Sequence, residues 1–354
     1  MTKKFLFLSA MVLMLTSCEG TLDDVFGEWS RPSGNTTPKS MLETPLTLEA
    51  TSAGTIVVNK PQTGMQYSLN GGAKTTLTAD PTNITVAAGD KLAFYGKGTT
   101  ITAYCSNGSD NTNIKGSGTG FTFKVYGNIM SLVDEEGFAT ATTLSASWAF
   151  TGLFSDNVSL TDASGLQLPA TTVTERCYAR MFEGCKSLTT APELPAETME
   201  NSCYYDMFNG CKALTTAPEL PATTLASSCY HSMFNGCKAL TTAPALPATT
   251  LAENCYTGMF SDCSNLTTAP ELPATTLVRE CYFAMFQLCS KLGSVTCKAT
   301  SGFDTVSPLY QWLNDAGTAP GCEKKLHVVT GDTHDASTVW QLTGGWSTVP
   351  DVTP

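Results

Sequence analysis

The sequence predicts a multidomain protein in which an all-β, immunoglobulin-like sandwich precedes an α/β solenoid of 26-residue units. Two observations lead to this prediction. Short alternations of apolar and polar residues, separated by turn residues, fill residues 45–127. From residue 177 the chain repeats itself every 26 residues. A fixed period of this length is typical of units that stack and bury a continuous core.

Composition narrows the function classes. The chain has 354 residues, of which 31 are acidic and 20 are Lys or Arg, giving a formal net charge of −11. Nucleic-acid binding needs clustered positive charge, so we expect no nucleic-acid partner. Three histidines leave little room for metal sites or histidine-based catalysis, and we expect no cofactor and no metal.

The N-terminus carries an export signal. Lys3 and Lys4 precede the apolar run 5–15, which is too short to span a bilayer and fits a signal peptide over residues 1–17. The run ends in Leu-Thr-Ser-Cys, which resembles the lipobox of bacterial lipoproteins. That resemblance implies acylation of Cys18 and anchoring in a membrane. Residues 18–44 are predicted to be a flexible tether.

The strands of the β module are predicted from alternation and turn residues. The stretch Asn70-Gly71-Gly72 is a strong hairpin signal. The Gly- and Ser-rich stretch 106–120 is predicted to be an exposed loop. The predicted strands are 54–59, 65–69, 82–86, 91–95 and 121–126.

The repeat is defined by two columns of cysteine, each with a spacing of 26 residues. The first column is Cys177, Cys203, Cys229, Cys255 and Cys281, and the second is Cys185, Cys211, Cys237, Cys263 and Cys289. Within each of the five units Cys, Tyr, Met, Phe and Cys occur at i, i+1, i+4, i+5 and i+8. These offsets lie on one face of a helix, so we expect one helix per unit with its variable face in solvent.

After the predicted helix each unit continues with Leu-Thr-Thr-Ala-Pro. The prolines lack the N–H that a central strand needs, so the strand is predicted to be about three or four residues long or irregular. These prolines are Pro192, Pro218, Pro244 and Pro270.

The unit resembles the BspA-like leucine-rich repeats of Bacteroides-type surface lipoproteins. The resemblance rests on Phe234, Cys237, Leu240 and Leu246-Pro247 and their equivalents in five copies over residues 177–292. It extends more weakly into residues 128–176, predicted to be an N-terminal cap with a degenerate first unit two residues longer, in which Asn157 replaces the cysteine. Residues 293–354 are predicted to be the C-terminal cap.

The cysteines are predicted to be free, buried thiols. Positions i and i+8 of a helix are about 12 Å apart, and adjacent helices pack at about 8–10 Å, whereas a disulfide needs Cα atoms roughly 4.4–6.8 Å apart. No Cys-x-x-Cys zinc motif occurs. A Cys297–Cys322 bridge in the cap stays open, and the Tyr column beside the cysteines is assigned to the core rather than to sugar stacking.

Catalytic motifs are absent from the sequence. It contains no Gly-x-Ser-x-Gly, His-Glu-x-x-His or phosphate-binding Gly-x-x-x-x-Gly-Lys motif. We therefore expect no enzyme activity. An enzyme would need a polar pocket with paired carboxylates near residues 128–150.

The resemblance implies a lipid-anchored protein of the outer-membrane surface that binds an extracellular protein or glycan. The main alternative is a carbohydrate-binding lipoprotein that uses the β module. Exposed columns of the repeat are the candidate binding residues. They are Thr189, Thr215, Thr241, Thr267, Glu193, Glu219 and Glu271.

Overall fold

A computed structural model describes residues 40–97 and 111–353, so the predicted signal peptide, Cys18 and most of the tether lie outside the described residues. Thirteen β-strands and two short 3-10 helices are described, and these residues contain no α-helix. The 3-10 helices are Met41–Glu43 and Ile129–Leu132. The strands are β1 Thr47–Ala50, β2 Gly54–Asn59, β3 Gln66–Leu69, β4 Thr75–Thr76, β5 Thr82–Val86, β6 Lys91–Tyr95, β7 Asn113–Ser117, β8 Phe123–Asn128, β9 Leu160–Gln167, β10 Glu271–Leu272, β11 Ser294–Cys297, β12 Lys325–Val329 and β13 Ser347–Val352.

Two sheets form from the predicted strands of the β module. One has the order β4-β3-β6-β1-β8-β9 and the other the order β5-β2-β7. The predicted hairpin is present: Asn70 and Gly71 have φ of 51° and 73°, and β3 pairs antiparallel with β4. Asn and Gly tolerate this left-handed conformation, which is why the pair marks the turn.

The prediction of an exposed loop over 106–120 is wrong for residues 113–117. This segment is β7, which pairs with β2, and Ile114 is fully buried. Gly116 is required by close approach, because a Cβ built there would lie 2.4 Å from the Cβ of Ser159. The Gly and Ser content of this stretch therefore reflects tight packing and not a solvent loop.

The larger sheet continues past residue 127, where the sequence predicts the module boundary. β8 pairs with β9 in parallel, whereas the other pairs of this sheet are antiparallel. Asn128, fully buried, donates from its Nδ2 to the carbonyl of Phe138 at 2.8 Å and accepts from Met130 N–H at 2.9 Å.

The predicted helix of the repeat is wrong. In its place the chain forms a run of turns in which N–H groups alternate between two kinds of acceptor. Cys203 N–H donates to Glu200, three residues earlier (3.2 Å), while the next N–H, of Tyr204, donates to Cys229 in the following unit (3.0 Å). In the same run every fourth residue has a positive φ: Ser202 (53°), Asp206 (54°) and Gly210 (75°). We call this segment of each unit the turn track. An α-helix would satisfy its N–H groups within the segment, whereas the turn track donates half of them to its neighbour.

Stacked rings connect successive turn tracks. Ring centroids one unit apart are separated by 5.4 to 6.0 Å, with planes within 16° of parallel. One ladder contains Tyr178, Tyr204, Tyr230, Tyr256 and Tyr282, and the other Phe154, Phe182, Phe208, Phe234, Phe260 and Phe286. The units are thus much closer than the 8–10 Å that packed helices require.

The proline-containing segment forms only isolated parallel bridges, as the sequence predicts. Thr190 bridges Thr216, and Thr242 bridges Thr268. Within the repeats only Glu271–Leu272 is long enough to be a strand, because a proline follows each Thr-Thr-Ala and interrupts the ladder.

The C-terminal region continues the parallel arrangement through the sheet β10-β11-β12-β13. Its turns also continue the track, since Phe286 N–H donates to the carbonyl of Trp312 at 2.8 Å. Trp312 and Trp340 are fully buried, and the Trp312 indole N–H donates to the Trp340 carbonyl at 2.9 Å.

Candidate interaction surface

All seven residues predicted to bind are solvent-exposed. They occupy the irregular segment of each unit, in which buried and exposed residues alternate from residue 192 to residue 197. Part of the threonine column is engaged by the backbone. Thr189 and Thr267 donate their hydroxyls to the carbonyls of Thr161 and Thr241, at 2.9 and 3.1 Å. These hydroxyls stabilise the stacking of units, which limits how freely they can turn toward a ligand.

The glutamate column differs from unit to unit. Glu271 forms an ion pair with Lys298 at 2.9 Å, and Ala245 occupies the equivalent position one unit earlier. Glu193 and Glu219 have no Lys, Arg or His of the described residues within 4.0 Å. Two of the three carboxylates are therefore left without a protein cation.

A groove of about 480 Å³ lies at these two carboxylates. Its walls come from two neighbouring units, with Glu193, Pro195 and Thr190 on one side and Glu219 and Pro221 on the other. Volumes of this size are typical of ligand sites. The structure thus brings Glu193 and Glu219 together, whereas Glu271 lies two units further along with its own cation.

The Tyr column lies in the core. Each of its five phenol side chains is at most 1 % exposed, which agrees with a packing role. Burial raises the pKa of each of these phenols well above its usual value.

The outer side of the turn track carries a group of rings and cations that the sequence analysis missed. The Arg176 guanidinium lies 4.6 Å from the centroid of the Trp148 ring and 5.7 Å from that of Tyr205. Tyr205 in turn stacks on His231, with centroids 4.6 Å apart. Tyr205 and His231 occupy a position that varies between units, and the aromatic character of both was the signal available in the sequence.

Charged groups beside this stack have shifted pKa values. Burial raises the pKa of the Asp206 carboxyl, although Asn209 and Arg180 act in the opposite direction. Burial lowers the pKa of the His231 imidazole, which Asp206 partly offsets. Arg180 Nε lies 3.5 Å from Asp206 Oδ2, so the positive charge here is already partnered.

A second cavity, of about 740 Å³, lies where an enzyme would need its pocket. Asp134, Glu135 and Glu136 line it together with Lys97. A hydrogen bond from Lys74 lowers the pKa of Glu135, which keeps this carboxylate ionised at neutral pH and unsuited to act as a general acid. Asp134 accepts backbone N–H groups of Glu136 and Gly137 through Oδ1 at 3.1 and 2.9 Å, so it shapes the local turn.

The second cysteine column makes a regular set of thiol hydrogen bonds. Each Sγ donates to the carbonyl of the ladder Phe 29 to 31 residues earlier, at 3.0 to 3.2 Å. All twelve cysteines of the described residues are free, including Cys297 and Cys322. The helix spacing used to argue against disulfides is wrong, since the units are closer than that, but the thiols are free in the structure.

No group of three or more His, Cys, Asp or Glu in residues 40–97 and 111–353 could hold a metal ion. In the same residues no helix is long and apolar enough to cross a bilayer. Comparison of the chain with protein-family models, with curated proteins and with solved structures gives no match.

Proposed function

We propose that this chain is a lipid-anchored, non-catalytic interaction protein of the bacterial outer-membrane surface, similar to BspA-like leucine-rich-repeat lipoproteins. Its stacked units would form a solenoid with a 26-residue coil that presents one face to an extracellular protein or glycan. The observation that carries the proposal is the exposed segment of the units, where side chains recur at fixed intervals above a buried aromatic core. Repeated side chains on a rigid stack offer an extended surface for recognition.

The two N-terminal sheets are proposed to be an immunoglobulin-like sandwich that holds the repeats away from the membrane. A carbohydrate-binding role for this module is less well supported. Tyr95, half-buried in β6, is covered by the Lys74 ammonium at 3.9 Å from its ring centroid, and the Trp148–Tyr205–His231 group belongs to the repeats.

The anchor and the surface location are tested together by labelling intact cells with a membrane-impermeant amine reagent. Lys186 and Lys212 are exposed and lie in the repeats, so a surface protein is expected to be labelled while a periplasmic control is not. Cys18→Ala is the matched variant, and it is expected to leave the membrane fraction.

Absence of label on intact cells, with labelling restored after lysis, would overturn the surface assignment. Retention of the Cys18→Ala variant in the membrane fraction would overturn the lipid anchor. Lysine labelling is preferred to protease shaving alone, because a tightly stacked protein can resist proteolysis even when it is exposed.

A further inference from the structure

We infer that the groove at Glu193 and Glu219 binds arginine side chains of a protein ligand. The inference rests on the proposed function and specifies the partner of its exposed face. Its basis is the combination of two carboxylates without a protein cation and an apolar wall within one groove of about 480 Å³.

Charge gives the first argument. Glu193 and Glu219 occupy equivalent positions in adjacent units, which the ring ladders place 5.4 to 6.0 Å apart. At the equivalent Glu271 the protein supplies its own cation, Lys298. A ligand cation would fill at Glu193 and Glu219 the role that Lys298 fills at Glu271.

Shape and polarity give the second argument. Pro195 and Pro221 are exposed in the groove and present apolar ring surface beside the carboxylates. A side chain with an aliphatic stem and a charged head buries the stem on such a surface and keeps the head at the acidic groups.

Arginine fits the pair better than lysine. Its planar guanidinium has five N–H donors in a fixed fork, so one group can donate to carboxylates on both units. A lysine ammonium is a compact, strongly hydrated charge that gains less from a second carboxylate. The exposed Thr190 and Thr216 line the same groove and offer hydroxyls to the backbone of an extended segment.

The test uses the full chain and three peptides in calorimetric titrations at low and at physiological salt. The peptides are acetyl-Ala-Arg-Ala-Arg-Ala-amide, its lysine counterpart and its glutamine counterpart. We expect the arginine peptide to bind most tightly, and more weakly at the higher salt because the contact is between charges.

The double variant Glu193→Gln/Glu219→Gln is expected to weaken binding of the arginine peptide about tenfold or more, since charge-assisted hydrogen bonds are lost. Glu253→Gln/Glu271→Gln changes the net charge equally at residues already paired with Arg279 and Lys298, and it is expected to bind as the parent does. Charge reversal by Glu193→Lys/Glu219→Lys is expected to transfer binding to a peptide with glutamate in place of arginine.

Equal weakening by the two glutamine variants, or no preference for arginine over glutamine, would overturn the inference. Failure of peptide binding in a protein that is labelled on intact cells would refute the groove specificity alone. Arginine binding by a protein that is shielded on intact cells would refute the surface function and leave the groove specificity standing.

Discussion

At the scale of single residues, burial controls the chemistry of the cysteines. Burial raises the pKa of Cys185 and of Cys263 to about 12, and it raises that of the other repeat thiols as well. The thiolate is the reactive form, so a raised pKa makes a thiol inert near neutral pH. These side chains act as small apolar groups that also donate to carbonyls between units.

The ten repeat thiols are therefore expected to escape alkylation by iodoacetamide in the native protein at pH 8. The partly exposed Cys322 is expected to react under the same conditions and serves as the positive control. After denaturation without reductant, all twelve cysteines of the described residues are expected to be alkylated. Mass spectrometry gives the count, and fewer than ten modified repeat cysteines after denaturation would show that some are bridged.

At the scale of the element, the turn track explains both the correct and the incorrect parts of the prediction. Apolar residues at i, i+1, i+4, i+5 and i+8 fit a helix, but they also fit a four-residue turn period. Over so short a segment a period of 4 and a helical period of about 3.6 differ by less than one residue. The buried face was therefore predictable and the backbone conformation was not.

Gly258→Ala distinguishes the two conformations. In a helix interior alanine would stabilise the protein by about 1 kcal/mol relative to glycine. In the turn track Gly258 has a φ of 59°, and a Cβ would lie 3.0 Å from Ser232 Oγ, so we expect destabilisation of about 1 kcal/mol.

Chemical denaturation of the purified variant measures this change in free energy of unfolding. Gly293→Ala is the control, since a Cβ there would be no closer than 3.6 Å to its nearest neighbour and φ is not in the left-handed range. It is expected to change stability little. A stabilised Gly258→Ala protein would contradict the turn track.

The Phe ladder is the element on which the stacking of units depends. Phe234 is fully buried and lies 5.7 Å from both Phe208 and Phe260. Phe234→Ala is expected to lower the free energy of unfolding by about 3–5 kcal/mol, from lost burial and the cavity left behind. Val306→Ala, at a residue that is 58 % exposed, is the matched control and is expected to change it by less than about 0.5 kcal/mol. Similar losses in the two variants would contradict the ladder.

At the scale of the whole molecule, the core is continuous. One cluster of buried apolar side chains runs from Leu46 in β1 to Trp346 beside β13. The hydrogen bonds between units extend the same connection through the backbone. The open edge of the last sheet is limited by Pro350 in β13, which has no N–H to offer a further strand.

The buried thiols and phenols make this stability depend on pH. Their pKa values are raised in the folded state, so the unfolded chain loses protons first as pH rises. Their contribution is complete below the ordinary thiol pKa of 9.0 and is lost progressively above it, toward about 12 for Cys185 and Cys263. Each such group costs about 1.4 kcal/mol per pH unit across that window.

With ten thiols affected, we expect cooperative unfolding to begin shortly above pH 9. Thiolate absorbance at 240 nm and tyrosinate absorbance at 295 nm are expected to rise together with the loss of near-ultraviolet circular dichroism. A smooth thiolate titration near pH 9 with unchanged circular dichroism would show that the thiols are accessible in the folded protein. Small-molecule thiol and phenol standards provide the reference titrations.

The sequence by itself determined what depends on local pattern. The 26-residue period, the buried Cys, Tyr and Phe columns, the hairpin at Asn70-Gly71, most strands of the β module and the interruption by proline are all visible in it. So is the exposure of Glu193 and Glu219, because residues flanked by buried positions in an alternating segment must face outward. These features follow from side-chain type and spacing along the chain.

Only the tertiary structure decided what depends on neighbouring units. The turn track replaces the helix because half of its N–H groups find acceptors in the next unit, which no local pattern reveals. β7 is a strand because Gly116 packs against Ser159, 43 residues away in the sequence. Glu193 and Glu219 share a groove, while Glu271 is neutralised by Lys298, because charge compensation depends on which residues the stacking brings within reach.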